Sequence, residues 1–87
     1  MPQGNDSPGY APPTKRSVLI AGHQTSISLE PLFWAALEEE ARHSGSSLNG
    51  LIARIDAERL EAEQPPNLTS ALRQFLLGRA RADRGGE

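Results

Sequence analysis

The sequence predicts a small, mostly α-helical domain with a short β-ribbon near its N-terminal end. Three observations carry this. The stretch Gln24-Thr25-Ser26-Ile27-Ser28-Leu29 alternates side-chain character with a period of two. Three later stretches repeat apolar residues at spacings of three and four. Gly45 and Pro65-Pro66 separate those stretches at points where helices stop.

The alternating stretch sets the first structural demand. As a strand it directs Thr25, Ile27 and Leu29 to one face and Gln24, Ser26 and Ser28 to the other. Its backbone donors and acceptors need a partner strand, because a lone strand cannot satisfy them. The preceding run Ser17-Val18-Leu19-Ile20 is rich in β-branched and apolar residues and reads as a second strand. Gly22 between the two either turns the chain into a hairpin or marks a bulge in one longer extended segment. Two short strands are the preferred arrangement.

Glu30-Pro31 closes the strand and opens a helix, since proline suits a first helical turn. Leu32 to Ser44 carries Phe33, Leu37 and Ala41 on one face, with Trp34 and Ala35 beside them, and Glu38, Glu39 and Arg42 opposite. Trp34 is expected to pack against the ribbon or the third helix. Gly45 ends the helix in a left-handed conformation. Ser46-Ser47 are N-cap candidates for the next helix, where Leu48, Leu51, Ile52 and Ile55 form an apolar stripe. Gly50, in that helix's first turns, suggests a close approach. The helix turns polar through Asp56, Glu58, Arg59, Glu61 and Glu63 and is expected to run to Pro65-Pro66. Asn67 caps a third helix from Leu68 to about Ala80, with Leu68, Ala71, Leu72, Phe75 and Leu76 as its buried stripe. Arg79, Arg81 and Arg84 suit the negative end of its dipole.

The resulting division is a flexible tail at 1–14, rich in proline and glycine, a strand–helix–helix core with an N-terminal extension strand at 15–64, a C-terminal helix at 65–81, and a frayed tail at 82–87. With 87 residues there is room for one small domain, and so short a chain is marginally stable alone. It contains no cysteine, which removes disulfides and thiolate metal sites as supports, so oligomerisation is the expected source of stability. His23 and His43 are too few for a histidine metal cage. No apolar run has membrane-spanning length and no signal-peptide pattern opens the chain, so a cytoplasmic protein without membrane contact is expected.

The order strand, helix, Gly45-Ser46-Ser47, helix resembles the ribbon-helix-helix family. The likeness runs from Thr25 to about Ile55, and Gly22-His23-Gln24-Thr25-Ser26-Ile27-Ser28-Leu29-Glu30-Pro31 followed by Phe33-Trp34 is similar to a branch with an added C-terminal helix. The resemblance implies an intertwined homodimer in which two chains pair their strands antiparallel. Thr25, Ile27, Leu29, Phe33, Leu37, Leu51, Ile52 and Ile55 of both chains would form a shared core, and folding would be coupled to dimerisation. It also implies that the ribbon's outer face enters the major groove of double-stranded DNA. Gln24, Ser26 and Ser28 would read bases: glutamine can engage adenine through both ends of its amide, and serine serves several base edges. Backbone N–H groups of Ser46, Ser47 and Leu48 would hold phosphate at the second helix's N-terminus. Many relatives carry arginine or lysine on the outer strand face, whereas here Lys15 and Arg16 would supply phosphate attraction from the flank.

The formal charge of −2 lacks the usual basic excess of a nucleic-acid binder. Between Glu30 and Gln64 the acids Glu30, Glu38, Glu39, Glu40, Asp56, Glu58, Glu61 and Glu63 face only Arg42, Arg54 and Arg59. The expected function is a DNA-binding transcriptional repressor. The alternative is a dimeric protein-interaction module, or an antitoxin-like protein holding a partner protein on its acidic helices or C-terminal helix. No catalytic constellation, phosphate-binding glycine loop or metal motif points to an enzyme, and no cofactor is implied.

Overall fold

The computed structural model describes residues 10–85. In order, the elements are β1 (Thr14–Ile20), β2 (His23–Leu29), α1 (Pro31–Ser44), α2 (Leu48–Arg59) and α3 (Leu68–Gly85). The expected tail at 1–14 lies largely outside the described residues, and Thr14 already belongs to β1.

The two strands form an antiparallel hairpin within one chain, with register Thr14↔Leu29 through Ser17↔Ser26 to Ile20↔His23. Two residues, Ala21 and Gly22, make the turn, and both have positive φ, 50° and 84°. That pair of signs is the mark of a type I′ turn, whose twist matches that of the flanking strands. Gly22 adopts the left-handed region freely, while Ala21 does so against its Cβ. The hairpin therefore replaces the bulged alternative. β2 thus has a hydrogen-bonded partner in β1 of its own chain.

Glu30 opens α1 from extended backbone (φ −61°, ψ 149°). Its carbonyl accepts from the N–H groups of Phe33 and Trp34 at 2.9 and 3.2 Å. Gly45 (φ 72°) ends α1, and its N–H and that of Ser46 donate back to the carbonyls of Arg42 and Ala41 at 3.2 and 2.9 Å. This is the Schellman pattern, which satisfies two of the helix's orphan carbonyls. Ser47 caps α2, its Oγ accepting from the Gly50 N–H at 3.0 Å. A Cβ on Gly50 would come within 3.1 Å of that same oxygen, so the close approach anticipated at Gly50 is its own cap.

α2 stops at Arg59 instead of continuing to the prolines. Arg59 Nε donates to Asp56 at 2.7 Å, and its guanidinium reaches the Pro66 carbonyl at 3.0 Å. Tight three-residue bonds from Glu61 to Glu58 and from Ala62 to Arg59 turn the chain toward that contact. Asn67 then caps α3, its Oδ1 accepting from the Ser70 N–H at 2.8 Å. α3 continues past Ala80 to Gly85. Alanine and arginine through that stretch favour helix, and Arg79 ties it to α1 by donating to Glu40 at 3.1 Å.

Every element contributes to one core: Val18, Ile20, Ile27 and Leu29 from the ribbon, Trp34, Leu37 and Ala41 from α1, Leu51, Ile52 and Ile55 from α2, and Ala71, Leu72 and Leu76 from α3. Leu29, Leu37, Leu51, Ile52 and Leu72 have no exposed surface at all. Each such side chain contributes roughly 1.5–3 kcal/mol relative to exposure. These side chains are buried within the one chain described. Phe33 is only partly buried, with Arg73 lying 5.4 Å over its ring, and Thr25 is partly exposed.

Trp34 packs against the ribbon, as one of the two sequence expectations had it. Its indole is 1% exposed and Nε1 donates to the Thr14 carbonyl at 2.9 Å. A buried indole needs such a partner, and here the partner lies at the start of β1. The bond therefore ties the first helix to the outer strand of the hairpin.

Candidate nucleic-acid interface

The period of two places Val18, Ile20, Ile27 and Leu29 beneath the ribbon and leaves its other face outward. In register, that outer face pairs Lys15 with Ser28, Ser17 with Ser26, and Leu19 with Gln24. All six side chains are exposed. The strands contain no acidic residue, so this surface carries one positive charge and otherwise hydroxyl, amide and aliphatic groups.

Gln24, Ser26 and Ser28 thus stand in one exposed row along β2. The Ser17 hydroxyl donates to Gln24 Oε1 at 2.9 Å, a diagonal contact across the hairpin. Lys15 shares the outer face. Arg16 does not: its neighbour-to-neighbour alternation turns it to the inner side, where its guanidinium lies 4.7 Å over the Trp34 ring and pairs with Glu38 at 2.9 Å. His23 is exposed at the hairpin turn.

At the start of α2, the Ser46 N–H is already bonded to the Ala41 carbonyl, and the Ser46 hydroxyl bonds that of Ser44 at 2.9 Å. That corrects the expectation that its N–H is open to phosphate. The N–H groups of Ser47 and Leu48 have no acceptor among the described residues, and they lie at the positive end of the helix.

The acidic middle of the chain is organised by ion pairs. Arg73 of α3 pairs with Glu30 at 2.9 Å, Arg79 of α3 with Glu40 at 3.1 Å, Arg16 of β1 with Glu38, and Arg59 with Asp56. The Arg73 hydrogen bond, with a smaller contribution from the backbone, holds the Glu30 carboxyl below its ordinary value of 4.5. The exposed Arg16–Glu38 pair contributes little, about 0–1 kcal/mol, and the others remain partly open to solvent. Their consequence is electrostatic: four of the eight acids between Glu30 and Gln64 have a local cation.

Ser17 and Leu19 were missed in the sequence as outer-face residues. Val18-Leu19-Ile20 reads as a continuous apolar run, which conceals the alternation. The signal that recovers them is the two-residue turn at Ala21-Gly22, because it fixes the register of β1 on β2.

No helix among the described residues is long and apolar enough to cross a membrane. The family model described as ribbon-helix-helix domain matches residues 13–80. Among solved structures, the chain is similar to an uncharacterized protein from Bordetella pertussis Tohama I, with 34% identity and a TM-score of 0.75. The match covers 90% of this chain and 62% of that one, so this chain spans less than two thirds of the neighbour's length. Among curated proteins, none matches.

Proposed function

The chain belongs to the ribbon-helix-helix domain family, and from that premise we propose that it is a sequence-specific DNA-binding transcription regulator, acting as a repressor, whose hairpin ribbon enters the major groove. The observation that carries this reading is the outer face of the ribbon, an exposed row of Gln24, Ser26 and Ser28 free of acidic groups. The major groove, about 12 Å wide, admits a two-stranded ribbon, and β-ribbon readers dock in this way. Gln24 offers an amide donor and acceptor to adenine, and Ser26 and Ser28 offer hydroxyls to any base edge. Lys15 on the same face, with the Ser47 and Leu48 N–H groups at the start of α2, supplies phosphate contacts. A homodimer in the cytoplasm would set two such ribbons on the halves of a pseudo-palindromic site, and bound there it would exclude polymerase.

The ion pairs of Glu38 and Glu40 count against the acidic helices as a docking face for a partner protein, because their charge is already met within the chain. The test is fluorescence polarisation against duplex DNA across a range of salt, with the variant Gln24→Ala, Ser26→Ala, Ser28→Ala as comparison. Sequence-selective binding by the natural chain, lost or made non-selective in the folded triple variant, is the expected result. Equal binding by the two proteins, or no duplex binding at low salt, refutes the groove-reading role.

A further inference from the structure

Leu19 is 46% exposed in the middle of a polar face, directly opposite Gln24. Side chains so paired have Cβ atoms about 4.5–5.5 Å apart. Ser17, two residues before Leu19 on the same face, donates its hydroxyl proton to Gln24 Oε1 at 2.9 Å. An aliphatic side chain, a carboxamide and a hydroxyl holding that carboxamide thus form one cluster at the turn end of the ribbon. From this cluster we infer that Leu19, Gln24 and Ser17 together recognise an A·T base pair, with Gln24 on adenine, Leu19 on the thymine methyl group, and Ser17 positioning the amide. The inference rests on the proposed groove-reading role.

The chemistry of each group is specific. In the major groove adenine presents the N7 acceptor and the N6 amino donor, and its partner thymine presents the C5 methyl. With Oε1 accepting from Ser17, the Gln24 amide keeps both Nε2 protons and the second lone pair of Oε1. Nε2 can then donate to N7 while Oε1 accepts from N6. Guanine presents two acceptors, N7 and O6. An unanchored glutamine can swing its amino group across both of them. An anchored one meets O6 with its own carbonyl oxygen, two acceptors face to face. Ser17 therefore acts through Gln24, and its role is to exclude guanine. Leu19 has no polar function to perform on this face, and the methyl of thymine is the one apolar group of the major-groove edge that it can cover.

The test begins with selection of duplexes from a randomised pool by the full chain, followed by affinities for the selected site and its substituted forms. An A·T pair is expected at one or more positions in each half-site. Replacing that pair by G·C is expected to weaken binding by the natural chain about 5- to 100-fold. In Ser17→Ala that A-over-G ratio falls toward one while overall affinity changes little, and Ser17→Thr, which keeps the hydroxyl, restores it. In Gln24→Ala the Ser17→Ala substitution has no further effect. Replacing the thymine by deoxyuridine removes only the methyl, and is expected to weaken the natural chain roughly 3- to 5-fold while leaving Leu19→Ala unaffected. All three side chains are exposed, so circular dichroism melts are expected to be unchanged. Selective duplex binding with an A-over-G ratio that Ser17→Ala leaves intact, or a deoxyuridine effect that persists in Leu19→Ala, overturns this inference and leaves the groove-reading role standing. Failure to enrich any duplex overturns both.

Discussion

Replacing Trp34 by phenylalanine is the most direct test of how the ribbon is attached. The indole is 1% exposed, donates to the Thr14 carbonyl at 2.9 Å, and lies under the Arg16 guanidinium at 4.7 Å. Phenylalanine removes the hydrogen bond, a loss of about 0.5–1.5 kcal/mol. The bond is only part-buried and Thr14 is an exposed residue, so the cost falls at the lower part of that range. Loss of the larger ring weakens the cation–π contact, worth about 0.5–1 kcal/mol at a partly exposed site. The smaller ring also leaves a gap in the core cluster to which Trp34 belongs, at a fraction of the roughly 3–5 kcal/mol that truncation to alanine costs. Together these amount to about 2 kcal/mol, or a fall in Tm on the order of 10 °C for a domain of this size.

The assay is thermal unfolding by circular dichroism, paired with hydrogen exchange resolved by residue. Exchange is expected to accelerate first at the β1 amides from Thr14 to Ser17, because the lost bond anchors that end of the strand. A Tm within about 2 °C of the natural protein would refute the arithmetic. Acceleration confined to α1 and α2, with β1 protected, would refute the anchoring role itself.

Three further outcomes are expected. Ala21→Asn in the two-residue turn is expected to stabilise the fold by roughly 0.5–1 kcal/mol in urea denaturation, since asparagine tolerates the positive φ that alanine adopts there. Glu30→Gln is expected to flatten the acid limb of stability against pH. Arg73 lowers the Glu30 pKa in the folded chain, so the stabilisation is fully present above about 4.5 and is lost as pH falls through the lower folded value. Measured from about pH 7 down to about pH 2, the natural chain is expected to lose its advantage over the variant in that window. Lys15→Ala is expected to lower duplex affinity and reduce the salt slope by about one per bound chain, whereas Arg16→Ala changes stability and leaves the slope unaltered, because Arg16 faces Trp34 and Glu38.

The helices were legible because their signals are local. Pro31, Gly45, Ser47 and Asn67 each act within one turn of where they stand, and each performs the cap or stop its chemistry suggests. The C-terminal limit of α2 was not legible, since it depends on Arg59 reaching the carbonyl of Pro66 beyond the helix. The inner row of β2 could be read from its alternation, but β1 could not, because Leu19 breaks the expected polarity of the outer face. Arg16 carries the clearest lesson of this kind. Its adjacency to Lys15 suggests shared work, yet strand alternation puts the two on opposite faces. Which arginine neutralises which glutamate was equally hidden, because Arg73–Glu30 and Arg79–Glu40 join residues 43 and 39 positions apart.

The hairpin alters what a second chain contributes to the proposed function. Where a ribbon is built from two chains, neither protomer has a reading face, a core or a folded state without the other, and binding, folding and dimerisation share one concentration dependence. Here β1 supplies a paired strand within the chain, and residues such as Leu29 and Ile52 are buried without a second copy. The proposed reading face therefore has both of its strands in each chain, with the Ser17–Gln24 contact made within it. In the proposed homodimer a second copy would bring a second hairpin ribbon. Its benefit is the gain from effective concentration: once one ribbon is bound, the other is held near its half-site, which multiplies affinity without any new contact within the first ribbon. Weak attraction by a single outward lysine is tolerable under that arrangement, because two modest half-site affinities combine where one would be insufficient.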